Sequence, residues 1–198
     1  IIKYLQKHQN KKVREALDRF VDFLLREMVD VETGEVFDGI MRNAKYKRLY
    51  NAPWITTLFT ELYILTQDKN YLTYTVRILR HYYSNGGLKF YPNGLSMFKT
   101  LNALKQAGMT NEEKEVEALF TQHVDNIVHN GLAYPKHEVN FEQTIVTPAA
   151  TFLSEMAYVT GKDIYKKEAE KHIETLLLFN GHQPSYHLHE IPIRFWDD

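Results

Sequence analysis

One pattern is written twice in this chain, and it constrains the fold more than any other feature. Thr57 to Tyr71 reads TLFTELYILTQDKNY, and Thr151 to Tyr165 reads TFLSEMAYVTGKDIY. At the single offset 151 − 57 = 94, Thr57 meets Thr151, Glu61 meets Glu155, Thr66 meets Thr160 and Tyr71 meets Tyr165. Apolar residues meet apolar residues at Leu58/Phe152, Phe59/Leu153 and Leu62/Met156. Each copy reads as a helix, a tight turn and the start of a second helix. A repeated helical hairpin buries one face against its neighbours, so the repetition predicts a stacked or closed array rather than a compact bundle.

The rest of the chain follows the same alternation. Val13, Leu17, Phe20, Val21, Leu24 and Met28 recur at three- and four-residue spacing, the single buried stripe of a helix over about 12–29. Gly34 and Gly39 break that pattern, and Glu35-Val36-Phe37 between them fits a brief strand. Pro53 suits the first turn of a helix running to Thr66, and Trp54, Ile55, Leu58, Phe59, Leu62, Tyr63, Ile64 and Leu65 cover nearly its whole circumference. Helices at 54–66, 97–107 and 149–160 are therefore expected to be inner and more buried. Those at 71–84, 113–129 and 164–179 carry amphipathic stripes and are expected to be outer. Asp68 or Asn70 offers an N-cap, and Thr110-x-x-Glu113 reads as a capping box. Asn-Gly at 85, 130 and 180 ends each outer helix with residues that tolerate the left-handed conformation. Inner-to-outer turns are short and outer-to-inner connections are long, which gathers the long loops at one rim where sites are usually carried.

Composition narrows the function classes. The 198 residues are 44% hydrophobic and 25% charged with a net charge of -1, an ordinary folded protein with no electrostatic case for nucleic acid or an anionic membrane. No apolar run approaches the roughly 20 residues of a membrane span, and IIKYLQKHQN lacks the features of a signal peptide. The cytoplasm is slightly favoured, although the compartment stays open. With no cysteine, disulfides, thiolate metal sites and cysteine nucleophiles drop out. No phosphate-binding loop, GxGxxG after a strand, or GxSxG is present.

The two TxxxExxxxTxxxxY copies and the Asn-Gly stops, spanning Pro53 to Gly181, resemble the (α/α) toroid of the six-hairpin glycosidase-like superfamily. That resemblance implies an all-α fold of inner and outer helices around a funnel, with the active site at the long-loop end. It implies a glycoside hydrolase first, with polysaccharide lyases, sugar epimerases and uronyl hydrolases on related toroids. Six hairpins of about 45 residues need about 270, and this chain holds three hairpins and an unpaired first helix. The expectation is a single toroid-like domain over 1–198, an open arc or an excised part of a longer protein, with self-association through the open edges.

Sugar cleavage needs a carboxyl pair, and aromatic faces that match the apolar faces of sugar rings. On the long loops, Glu190 is the first candidate acid, with Glu138 or Glu142 as its partner and His189 beside it. Trp54, Tyr91, Tyr134, His137, Arg194 and Trp196 are the candidate substrate-binding residues, each weighed against an ordinary place in the core or on the solvated surface. An oligosaccharide or polysaccharide is the expected partner, with no metal and no cofactor; His187-x-His189-Glu190 is not a strong metal signature. The leading reading is a glycoside hydrolase. The alternatives are a lyase or epimerase on uronic sugars, in which His189, Tyr186 and Arg194 would move the proton and neutralise the acid, and a non-catalytic helical-repeat interaction module.

Overall fold

The computed structural model describes residues 1–43, 49–135 and 143–180. Eight α-helices lie among the described residues: α1 Ile2–Leu5, α2 Lys11–Glu27, α3 Asn51–Thr66, α4 Asn70–Ser84, α5 Met97–Gln106, α6 Thr110–Asn130, α7 Gln143–Thr160 and α8 Asp163–Leu177. The expected fold class, all-α and built of helical hairpins, holds. Seven helices match the seven the periodicity predicts, and α1 is an extra single turn. The brief strand at 35–37 is reduced to an isolated bridge between Val29 and Val36.

Residues contact one another in two compact units. The first is Ile1–Gly86 with Gly94–Val116, and the second is Gly87–Asn93 with the described residues from Glu117 onward. In the first unit α3 packs on α4 and α5, and α1 on α3. Its core is Leu17, Val21 and Leu24 of α2 with Phe59, Leu62, Leu72, Val76, Leu79, Tyr82, Met97 and Leu104. Arg80 of α4 holds Glu115 of α6 through two hydrogen bonds, 2.5 and 2.6 Å, and the guanidinium keeps that carboxyl below its ordinary range. In the loop after α2 the chain crosses α4 at Gly34, φ +78°, where a Cβ would stand 2.2 Å from the Arg77 carbonyl oxygen. Only glycine passes there.

In the second unit α7 packs on α8, around Phe120, Val124, Ile127, Phe152, Leu153, Met156 and Tyr165. The Tyr165 hydroxyl donates to Asp125 at 2.6 Å. The stretch 87–93 is held by side-chain amides: Asn126 donates to the Leu88 carbonyl at 2.8 Å and Asn130 to the Tyr91 hydroxyl at 3.1 Å.

The repeat is conserved down to single hydrogen bonds. Thr66 and Thr160 each donate to the carbonyl four residues back, Leu62 and Met156, at 2.7 Å. Each also accepts from the amide two residues on, Asp68 at 3.2 Å and Lys162 at 3.3 Å. Between them the chain turns through a left-handed residue at equivalent positions, Gln67 with φ 62° and Gly161 with φ 69°. The next helix is entered by Tyr71 and Tyr165, whose amides bond the carbonyls of Asp68 and Lys162. Thr60 and Ser154, also equivalent, bond back to Thr56 and Ala150. The fully buried Thr60 hydroxyl is thus satisfied by the backbone of its own helix, so it is not left unpaired in the core.

Three local expectations are corrected. Thr110 lies inside α6, and the Glu113 amide bonds the Met109 carbonyl at 2.9 Å instead of a Thr110 cap. The second repeat helix starts at Gln143, so Pro148 is internal to α7. A proline there cannot donate to the carbonyl four residues back, and the Asn93 side chain donates to that Thr144 carbonyl in its place, at 3.3 Å. The order of burial holds for α5 over α6 and for α7 over α8, but α4 is as buried as α3. Tyr82, Tyr83 and Thr75 widen its buried face beyond the aliphatic stripe.

Candidate functional site

All of the acid and base candidates fall outside the described residues: Glu190, Glu138, Glu142, His189 and Tyr186, and with them His137, Arg194 and Trp196. Three aromatic candidates are described. Trp54 is 58% exposed at the start of α3, while Tyr91 and Tyr134 are 2% and 9% exposed. Both tyrosine rings lie within the second unit and turn no open face to solvent.

Around Tyr134 the second unit assembles titratable groups that periodicity does not reveal. The Tyr134 hydroxyl and His172 Nδ1 are 2.6 Å apart. The Tyr91 ring meets the Tyr134 ring edge-on at 6.4 Å and the His123 ring at 5.9 Å, and His123 in turn lies 5.3 Å from Phe152. Glu168, itself buried, approaches His172 Nε2 to 4.0 Å through Oε1 and bonds Lys171 at 2.6 Å through Oε2. His172, Glu168 and Tyr165 share one stripe of α8, and His123 lies on the buried stripe of α6 with Val116, Phe120, Val124 and Ile127. Their sequence signal is a titratable residue where the helical period calls for an apolar one. That signal does not by itself separate a buried histidine from an edge position.

Burial keeps the two histidines and the two tyrosines of this cluster neutral. Burial pushes His123 down to about 3, opposed in part by its bond with the Phe90 backbone. Burial also lowers His172, against the pull of Glu168. Tyr134 is driven well above the ordinary phenol range, first by burial and then by Tyr91, and Tyr91 is raised by burial as well. A neutral phenol and a neutral imidazole share one proton across 2.6 Å, and with the phenol raised and the imidazole lowered that proton stays on the bond as a structural hydrogen bond. With 9% of Tyr134 and none of His172 at the surface, the pair serves to fix the chain at Tyr134, just before the 136–142 segment that carries Glu138 and Glu142. Among the described residues, no three metal-ligating side chains converge, and no helix is long and apolar enough to cross a membrane.

In the first unit, Trp54 is held by its surroundings. The Thr57 hydroxyl donates to the Gly94 carbonyl, and Gly94 lies against the indole. Two turns along α3 from Trp54, Glu61 forms an ion pair with Lys99 of α5.

No family model matches this chain, and no curated protein matches it. The solved structures are more informative. The chain is similar to a polysaccharide lyase. The TM-score is 0.90 at 34% sequence identity, over 98% of this chain and 29% of the lyase chain. This chain therefore spans less than a third of that lyase's length. The likeness supports the helical fold, and the neighbour is a lyase rather than a glycosidase.

Proposed function

We propose that the chain is a carbohydrate-active enzyme, or part of one, that cleaves a polysaccharide containing uronic acids by β-elimination. The observation that carries this is the 34% identity and TM-score of 0.90 to a polysaccharide lyase across 98% of the chain. In such a cleavage a base removes the proton on the carbon next to the uronate carboxylate. The electron pair closes a double bond to the neighbouring ring carbon, and the glycosidic oxygen leaves with a proton from an acid. The carboxylate must be neutralised first, because the carbanion-like transition state places further charge on it.

His189 is assigned to the base and Arg194 to the uronate carboxylate. Tyr186 is assigned to protonating the leaving oxygen. Glu190 with Glu138 or Glu142 is the pair that hydrolysis would need instead. His137 and Trp196 are assigned to binding the sugar, and the buried Tyr91 and Tyr134 to supporting the chain rather than to touching substrate.

The test uses the longest form the gene encodes, incubated with uronate-containing and neutral polysaccharides. Elimination leaves a conjugated double bond that absorbs in the near ultraviolet, one for each new reducing end. New reducing ends without that absorbance would make the enzyme a hydrolase. Neither product across the panel would leave the interaction-module reading.

A further inference from the structure

Trp54 is a large apolar ring left open where the helix it belongs to is apolar all round, and the way it is held defines what fits against it. A Cβ built on Gly94 would stand 2.6 Å from the indole Cδ2, 2.8 Å from Cε3 and 3.0 Å from Cε2. Cδ2 is bonded to three ring atoms and cannot be the nearest atom to anything approaching in the ring plane. Gly94 therefore lies over one face of the indole, above the fusion of its two rings. The backbone comes that close because the residue has no side chain and sits at φ +88°. The Thr57 hydroxyl, one turn along α3, fixes the same peptide through the Gly94 carbonyl. One face of the ring is closed by backbone, and the 58% of Trp54 that is exposed is left to the other face and the rim.

The neighbours of Trp54 on the helix surface decide between occupants. Residues four and three before it, three after and seven after are Tyr50, Asn51, Thr57 and Glu61; Tyr50 is itself exposed, and Glu61 is paired with Lys99. Leu58, four residues on, is half-buried. A protein partner gripping a tryptophan would need an apolar patch around it. A flat apolar face bordered by a phenol and by hydroxyl, amide, carboxylate and ammonium groups matches instead one face of a pyranose ring, whose axial C–H bonds stack on the aromatic while its hydroxyls bond at the rim.

We propose that Trp54, backed by Gly94, is a stacking subsite for a pyranose unit of the polysaccharide. The substrate class rests on the lyase reading above; the geometry of the platform does not. Trp54 binds and positions the sugar and takes no part in proton transfer.

The experiment uses the longest form the gene encodes, titrated with polygalacturonate, alginate, hyaluronan and neutral xylan. The Trp54 signal is taken as the part of the emission change that Trp54→Phe removes, with every other tryptophan left in place. The emission of Trp54 is expected to change on saturation with at least one polysaccharide. Trp54→Ala is expected to weaken that binding by about tenfold or more, with the loss in KM rather than kcat where cleavage occurs. Trp54→Phe recovers part of it, and Gly94→Ala weakens binding while the indole is still present. If a polysaccharide is cleaved by the parent and Trp54→Ala leaves its KM unchanged, the platform is wrong and the lyase reading stands. If emission responds to a polysaccharide that is never cleaved, the platform stands and the lyase reading falls. If no polysaccharide moves the emission, the platform is refuted whatever the enzyme does.

Discussion

Removing the Asn93 side chain should destabilise the second unit through a carbonyl that its own helix cannot serve. In α7 the Thr144 carbonyl would take its bond from residue 148, which is proline and has no N–H. Asn93 donates to it at 3.3 Å, near the long end of the range for such bonds. A neutral, partly buried hydrogen bond of this kind contributes about 1 kcal/mol. Asn93→Ala is therefore expected to cost about 1 kcal/mol, or roughly 2–4 °C in Tm for a protein of this size. Pro148→Ala gives the helix back its N–H, which then competes for the same carbonyl. In that background Asn93→Ala should cost less than about 0.5 kcal/mol, so the two changes are coupled by about half a kcal/mol or more. Urea unfolding followed by circular dichroism, with four proteins compared at equal m-values, measures the coupling directly. An Asn93→Ala cost that is the same in both backgrounds would refute the substitution of one donor for the other, whatever the size of that cost.

Two further outcomes follow from the turns and the buried histidines. Gly161→Ala places a Cβ at φ 69° and should lose about 1–2 kcal/mol; Gln67→Gly relaxes the equivalent position and should gain or stay level, since Gln67 gives up a 3.2 Å bond to the Ile64 carbonyl in exchange. Equal responses at the two sites in urea unfolding would deny their equivalence. His123 has a folded pKa of about 3 against an ordinary 6.5, so between these values the unfolded chain binds more protons and stability falls as pH falls. The loss is about 2 kcal/mol between pH 7 and pH 5, with His172 adding in the same direction, and His123→Phe should flatten the slope. A slope unchanged by that substitution would mean that another group controls it.

The hairpins were legible because their determinants are local. Thr66, the left-handed Gln67 and Tyr71 make bonds within five residues of one another, and Thr160, Gly161 and Tyr165 repeat them. The extension of α7 past Pro148 was not legible, because what permits it is Asn93, far away in sequence. Likewise the neutral cluster of Tyr91, His123, Tyr134 and His172 depends on which turns of α6 and α8 face inward. A histidine in an amphipathic helix fits either side of that boundary. Trp54 reverses the usual error: an apolar circumference predicted burial all round, yet one face of α3 is open. Nothing in the spacing of α3 distinguishes a ring packed in the core from one packed on a single glycine.

Two hairpins with the same turn on one chain invite each first helix to dock on the wrong second helix during folding, the failure to which repeated sequences are prone. The copies differ where that error would be decided. Leu58-Phe59 in one becomes Phe152-Leu153 in the other, so the large and small side chains change order along the helix. Phe59, Phe152 and Leu153 are all fully enclosed, and a helix docked on the other's partner would meet a ring where it has room for a branch, and a void where it has a ring. The shared polar residues close the same turn twice, and the inverted pair of apolar residues gives each turn its own partner.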